Sequence, residues 1–259
     1  MKTYTKDSLI QSIKDIRAGG WVVSARPGND GAVGNTLEDL LGIEENNLPI
    51  PNAAEWELKA QRADTKSLTT LFHMEPSPTA LKFVPQILLP KYGWEHKEAG
   101  KKYPHDEKSF RQTINAQNIS DRGFTVVVDR TQRKIAISFD ATKVSKHAEW
   151  KCSVESRVGL EQLNPQPYWG FDDLFHKIGT KLHNCFFVRA LRKRENGTEF
   201  FYYKDILMLK GLSQDKFINA IDNGNVYIDF DARTGHNHGT KFRINPGKIP
   251  DLYAECIEL

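Results

Sequence analysis

Cysteine is scarce in this chain, and what there is does not pair. Cys152, Cys185 and Cys256 lie far apart, are odd in number, and form neither a CxxC pair nor a zinc spacing. A disulfide framework is therefore not expected, and the three read as reduced thiols of a cytosolic protein. Long apolar runs are missing as well. No stretch approaches the roughly 18 apolar residues of a membrane span, and the segment from Met1 to Asp7 has no apolar core and does not read as a signal peptide. Repeats and low-complexity tracts are absent. So is a strong charge bias. A net charge of +3 and a pI near 8.6 neither require nor exclude nucleic acid, because basic residues can be gathered on one face. What remains is 259 residues, 39% hydrophobic and 27% charged. That describes a globular chain rather than a disordered one, long enough for one large domain or two lobes.

The organising stretch is Asn52 to Ala60. On a strand, Glu55, Glu57 and Lys59 point one way and Trp56, Leu58 and Ala60 the other. Two carboxylates and an ammonium on one face suit a divalent metal beside a lysine, with carboxylate and carbonyl oxygens as ligands and the lysine stabilising charge on a phosphate. The acidic-x-Lys pattern is common. It recurs at Asp64-Thr65-Lys66, Glu95-His96-Lys97 and Asp106-Glu107-Lys108, all in polar stretches that read as solvated loops or helix faces. Only Glu57-Leu58-Lys59 has an apolar partner face. An exposed ion pair, worth little, is the competing reading.

Leu9, Ile10, Ile13 and Ile16 fall at helical spacing, and Gly19-Gly20 ends that helix. Trp21 to Val23 follow as a short apolar run. Ser24 to Asn35, rich in glycine, reads as a flexible loop whose backbone can approach a ligand. Thr36 to Gly42 predicts a short helix. Glu38, three residues after Asn35, either favours the N-terminus of that helix or projects into the site built by the next strand. Pro49 and Pro51 punctuate the chain before the key strand, and Thr65 to Phe72 is a second apolar segment. Residues 85–122 resist assignment. Phe124–Val128 and Ile135–Phe139 predict a hairpin, and residues 141–168 an irregular passage between two lobes. Phe171–Leu182 predicts a helix packed through Leu174, Phe175 and Ile178. Asn196-Gly197 marks a turn between two apolar runs. Ser213 to Ile221 predicts a capped helix ended near Gly224. Asn225–Asp231 and Thr240–Asn245 alternate as strands.

Between those last strands lies Arg233-Thr234-Gly235-His236-Asn237-His238-Gly239. Two histidines can ligate a metal, but no Cys or third His stands nearby to complete a zinc site. A base-reading loop fits the chemistry: Arg forks onto guanine, and Asn or His bonds base edges. An ordinary polar turn is equally open. Arg243 shares a strand face with Lys241.

Taken together these stretches resemble the MvaI/BcnI-type restriction endonucleases, relatives of the mismatch-repair nicking enzyme MutH, with the nearer likeness to MvaI. The resembling residues are Gly19-Gly20-Trp21, Gly34 to Leu41, Glu57-Leu58-Lys59, Lys66 to Phe72, Tyr168 to Asp172, and His236 to Asn245, in the family's order. The resemblance implies an α/β (α+β) PD-(D/E)XK, MutH-like fold: a mixed sheet with flanking helices, in two lobes around a DNA cleft. It implies residues 1–165 as the catalytic lobe with the metal site and 166–259 as the DNA-recognition lobe. It implies Mg²⁺ as cofactor, with Glu57 as acidic ligand, the Leu58 carbonyl as donor, Lys59 as the motif's lysine and Glu38 supporting the site. Arg233, His236, Asn237, His238, Thr240, Lys241 and Arg243 fall in or beside the base-reading segment. The activity implied is type II restriction at a short pseudopalindromic CC-N-GG-like site in double-stranded DNA. The enzyme would act as a monomer, one strand after the other, in the cytoplasm of a bacterium or archaeon, with a cognate DNA methyltransferase as functional partner.

One position departs from the pattern. Where the family carries an aspartate as first metal ligand, this chain has Asn52, which keeps an oxygen donor but loses the charge. Three explanations stand: Glu55 supplies the second carboxylate, the protein binds DNA without cutting it, or the asparagine replaces a native aspartate. A MutH-like strand-nicking repair endonuclease is the alternative of different physiology.

Overall fold

The computed structural model describes residues 4–29, 31–43 and 55–259. In chain order the helices are α1 (Lys6–Ala18), α2 (Ala32–Leu41), α3 (Leu89–Tyr92), α4 (Ala148–Val158), α5 (Phe171–Leu182) and α6 (Gln214–Asp222). The early strands are β1 (Val22–Val23), β2 (Trp56–Arg62), β3 (Thr69–His73), β4 (Trp94–Glu95), β5 (Lys108–Ile114), β6 (Phe124–Asp129) and β7 (Lys134–Phe139). The later ones are β8 (Tyr168–Gly170), β9 (Asn184–Glu195), β10 (Thr198–Leu212), β11 (Val226–Arg233), β12 (His236–Asn237), β13 (Lys241–Ile244) and β14 (Tyr253–Glu258). None of these helices is long and apolar enough to cross a membrane.

The chain forms two compact units that interleave in sequence. The first comprises Met1–Thr69, His176–Lys216 and Pro246–Leu259, and the second Thr70–Phe175 and Phe217–Asn245. Segments beyond residue 165 thus contribute to both.

The first unit is built on a mixed sheet of order β1-β10-β9-β2, with β14 also pairing β10. Its framework is the β9–β10 hairpin. Asn196 and Gly197 both adopt positive φ, 49° and 79°, as a two-residue turn matched to the right-handed strand twist requires. β2 joins β9 in parallel, placing Glu57 beside Cys185 and Leu58 beside Phe186. One sheet face carries Trp56, Leu58, Phe186, Val188, Ala190, Phe201 and Tyr203 into a core closed by Leu9 and Ile13 of α1 and by Val33, Leu37 and Leu41 of α2. Trp56 and Phe186 rings lie 4.6 Å apart. Burial of each such large side chain contributes about 1.5–3 kcal/mol. Tyr203 donates its hydroxyl proton to the Val33 carbonyl at 2.8 Å, which seats α2 on the sheet.

The helix α2 begins earlier than its sequence suggests, at Ala32 rather than Thr36. Ala32 and Val33 are buried with Thr36, Leu37 and Leu41, so its apolar face reaches back into the glycine-rich segment. Gly42, at φ 68°, ends it.

The second unit holds the antiparallel pairs of β11 with β5, β12 and β13 in a sheet of order β3-β13-β11-β5-β4, and a separate β6-β7-β8 sheet. Its core is aromatic: Tyr92, Phe110, Phe124, Phe139, Trp150 and Phe230 meet edge-on or tilted. Two stretches that the sequence leaves open turn out to be ordered elements here. Residues 85–122 contain α3, β4 and β5, and the passage 141–168 contains α4. That helix is held by two anchors at i and i+4, Trp150 and Val154, too few for a periodic signal. The Trp150 indole donates to the Tyr92 carbonyl at 2.9 Å.

Candidate active site and polar sheet face

Among the described residues β2 lies at the edge of its sheet, and it turns Glu57 and Lys59 away from the α1–α2 core. That polar face is not fully open to water. Glu57 is buried, with 3% of its surface exposed. Its Oε1 lies 3.3 Å from Lys59 Nζ and 3.7 Å from Lys181 Nζ, the latter in the last turn of α5. The competing reading of an exposed ion pair does not hold. A buried carboxylate requires compensation, and its other neighbours bring none. Burial pushes the Cys185 thiol up to about 12, against the lowering pull of Lys59. Burial likewise raises the Tyr253 hydroxyl, with Cys185 and Glu57 adding to the effect. Both groups are neutral at ordinary pH, and Tyr253 spends its proton on the Leu182 carbonyl. Lys181, missed from the sequence, is therefore part of this site. Its only sequence signal is its place on the helix that leads into β9.

Glu57 Oε2 is buried and accepts no hydrogen bond. The backbone adds a second oxygen. Ala63 N–H donates to the Ala190 carbonyl, so along this regular strand odd-numbered residues face β9 and the Leu58 carbonyl faces the open edge. An orphaned carboxylate oxygen, an edge carbonyl and an adjacent lysine fit a divalent cation. Among the described residues no three His, Cys, Asp or Glu side chains gather as a complete ligand set. Asn52 lies outside the described residues. Glu55 is exposed, and its carboxylate accepts from the Trp56 indole at 3.2 Å. Glu38 is the seventh residue of α2, whose first turn carries no acidic residue, so it does not cap that helix. It is half-buried on the helix that packs against β2.

The base-reading candidates sit on one face of the second unit's main sheet. Registers align Asp229 with Thr113 and Lys241, Asp231 with Arg111, and Tyr227 with Arg243. The opposite face, with Ile228, Phe230, Phe242, Phe110 and Ile114, is core. Each aspartate is shared between two strands. Asp231 binds Arg111 at 2.7 Å and Lys241 at 3.3 Å. Asp229 accepts from Thr113 at 2.7 Å and meets Arg243 at 3.3 Å. Burial alone would raise the Asp231 carboxyl, but Arg111 and Lys241 outweigh it and hold the group below its ordinary value. These aspartates and Arg111 complete a polar face that the β11 alternation Tyr227, Asp229, Asp231, Arg233 announces in the sequence.

The loop residues divide. His236 and His238 are exposed, their rings edge-on at 4.2 Å. Arg233 meets buried Glu107 at 3.1 Å and lies over the Tyr103 ring. Thr240 is fully buried, and its N–H and hydroxyl both bind Glu75, so in this conformation it holds the loop rather than offering a free surface to a ligand. Asn237 Oδ1 accepts from Gly239 N–H, and its amide nitrogen lies 3.5 Å from Glu75. Of the other acidic-x-Lys triplets, Asp64, Lys66, Glu95, Lys97 and Asp106 are exposed, but Glu95 lies on β4 and half-buried Lys108 on β5 rather than on loops or helix faces.

Comparison with known proteins follows the same lines. The structure of restriction endonuclease MvaI with its cognate DNA substrate is similar with a TM-score of 0.76 and 24% identity, covering 99% of each chain. MvaI in the absence of DNA is similar with a TM-score of 0.57 and 24% identity, over 100% of this chain and 99% of that one. No curated protein matches the chain. The fold is the mixed α+β arrangement of those structures, consistent with PD-(D/E)XK nucleases. The model of the MvaI/BcnI restriction endonuclease family matches residues 10–253, and the chain belongs to that family of sequence-specific DNA endonucleases.

Proposed function

We propose that this protein is a type II restriction endonuclease that cuts double-stranded DNA at a short pseudopalindromic CC-N-GG-like site and depends on Mg²⁺. The carrying observation is the buried Glu57, paired with Lys59 and Lys181 through one oxygen and left open at the other, in a chain of this family. Glu57 and the Leu58 carbonyl, with Asn52 or Glu55 as a further oxygen donor, would hold Mg²⁺, which when bound would activate a water and offset charge on the scissile phosphate. Lys59 stabilises the charge that builds on the phosphate oxygens in the transition state. Lys181 shares Glu57, so Lys59 can leave the carboxylate without stranding a buried charge. Glu38 orients Lys59.

Base selection falls to the polar face and loop of the second unit. Arg243, Lys241 and Arg233 donate to guanine, while His236, Asn237 and His238 bond base edges in the major groove. Carboxylates already engaged by these cations, Asp229 with Arg243, Asp231 with Lys241 and Glu107 with Arg233, fix their direction before DNA arrives. Thr240 acts through the loop it braces. The enzyme works as a monomer in the cytoplasm of a bacterium or archaeon, with a cognate methyltransferase protecting host DNA. In this reading the first unit cuts and the second reads.

Plasmid and phage DNA incubated in Mg²⁺ buffer yield discrete fragments, which vanish with EDTA and with Lys59→Ala. That variant lowers the rate by about 10²–10³-fold, the usual consequence of removing one transition-state donor. Persistent cleavage by Lys59→Ala would sink the assignment. A second reading, sequence-specific binding without cutting, is favoured by Asn52. It predicts tight binding and no product, with cleavage restored by Asn52→Asp if the site is merely disabled. A partner-dependent nick in one strand would instead indicate the repair nickase.

A further inference from the structure

Glu75 follows β3 and belongs to none of the groups above. Its Oε1 accepts the Thr240 N–H at 2.9 Å and lies 3.5 Å from Asn237 Nδ2, while Oε2 accepts the Thr240 hydroxyl at 3.2 Å. Met74 N–H, one residue earlier, donates to the Thr240 carbonyl at 2.9 Å. Asn237 ends β12 and Thr240 precedes β13, so one carboxylate ties the two ends of the connection that carries His238. The rest of the segment is held by the pairing of β12 with β11, by the His238 N–H to the Asp231 carbonyl at 3.0 Å and by the Gly239 N–H to Asn237 Oδ1, which leaves the step from Gly239 to Thr240 to Met74 and Glu75. Gly235 and Gly239 have φ of 69° and 81°, the conformation glycine adopts freely. Its histidines are exposed and Thr240 is fully buried, so the loop is anchored from beneath and open above.

We propose that Glu75 is a specificity-determining positioning residue: it touches no DNA but sets where the His236–His238 segment meets the bases. This rests on the reading of that segment as base-contacting. Discrimination between bases needs donors and acceptors placed within hydrogen-bond tolerance. A glycine-flanked loop freed from its clamp still reaches DNA but no longer holds one register. Glu75 is thus expected to affect the ratio between correct and incorrect sites more than binding itself.

The test uses the full chain. Fragment ends are sequenced to obtain the site, and kcat/KM is measured on that site and on duplexes differing by one base pair. Glu75→Ala is expected to lower the cognate-to-variant ratio at least tenfold, with non-specific affinity unchanged. Glu75→Gln retains a carbonyl oxygen for the Thr240 N–H and restores most of the ratio. Thr240→Val, which removes one hydroxyl donor at nearly constant shape, falls between wild type and Glu75→Ala. If Glu75→Ala does not fold, the Gln and Val variants carry the comparison. A ratio within twofold of wild type in the folded variants, or rates falling in parallel on all duplexes, overturns the proposal. His236→Ala, His238→Ala and Arg243→Ala separate the two levels. If these relax specificity and the Glu75 variants do not, only the clamp is wrong; if they too leave the ratio untouched, the base-reading assignment itself fails.

Discussion

At the scale of single residues, the site is defined by how a buried charge is compensated. Glu57 has two lysines and two neutral neighbours, and the second lysine is the less obvious participant. Lys181→Met removes a cation 3.7 Å from the carboxylate without touching Lys59. It is expected to slow single-turnover cleavage about tenfold, ~1.4 kcal/mol in the barrier, while DNA affinity in Ca²⁺ stays within a factor of about two. An unchanged single-turnover rate would show Lys181 to be a bystander. Arg233 shows the converse. The sequence marks it as a base reader, but the structure commits it to Glu107. That partner lies 126 residues away in the chain, a pairing that no spacing rule reaches.

Secondary elements were legible in proportion to how local their causes are. α1, the β6–β7 hairpin, α5 and α6 follow from periodicity and caps within a few residues. α4 and β5 were not legible. α4 has two buried anchors, and the outward face of β5 bears Arg111 and Thr113, whose polarity serves the aspartates of β11. The Asn196-Gly197 turn is the clearest local code. Gly197→Val places a β-branched residue at φ 79°, which costs roughly 1–2 kcal/mol. Chemical denaturation should show that loss. Cleavage at 25 °C should be retained, because Glu57 is paired with Cys185, at the opposite end of β9 from the turn.

For the whole molecule, burial of acids that titrate in alkali links stability to pH. Tyr92, Tyr203 and Tyr253 are raised from their ordinary 10.0, and Cys185 from 9.0, chiefly by burial. A group raised in the folded state stabilises it below the unfolded pKa and loses that contribution as pH climbs toward the folded one. The melting temperature should therefore fall from about pH 9 upward. Tyr203→Phe should lower it at neutral pH, by losing the bond to Val33, yet flatten the alkaline decline. A Tyr203→Phe profile parallel to wild type would contradict this linkage.

What the sequence by itself determined is the local part. Glu57 and Lys59 share a strand face because strands alternate, Gly197 makes a turn because only positive φ fits there, and an ordered set of motifs marks the family. Tertiary structure decided the rest. It buried Glu57, brought Lys181 to it, drew Arg233 to Glu107 across 126 residues, and drew Thr240 to Glu75 across 165. The physical reason is range. Periodicity and turn chemistry act over a few residues, whereas the partner of a buried charge is chosen by strand registers and helix placements that distant segments settle together.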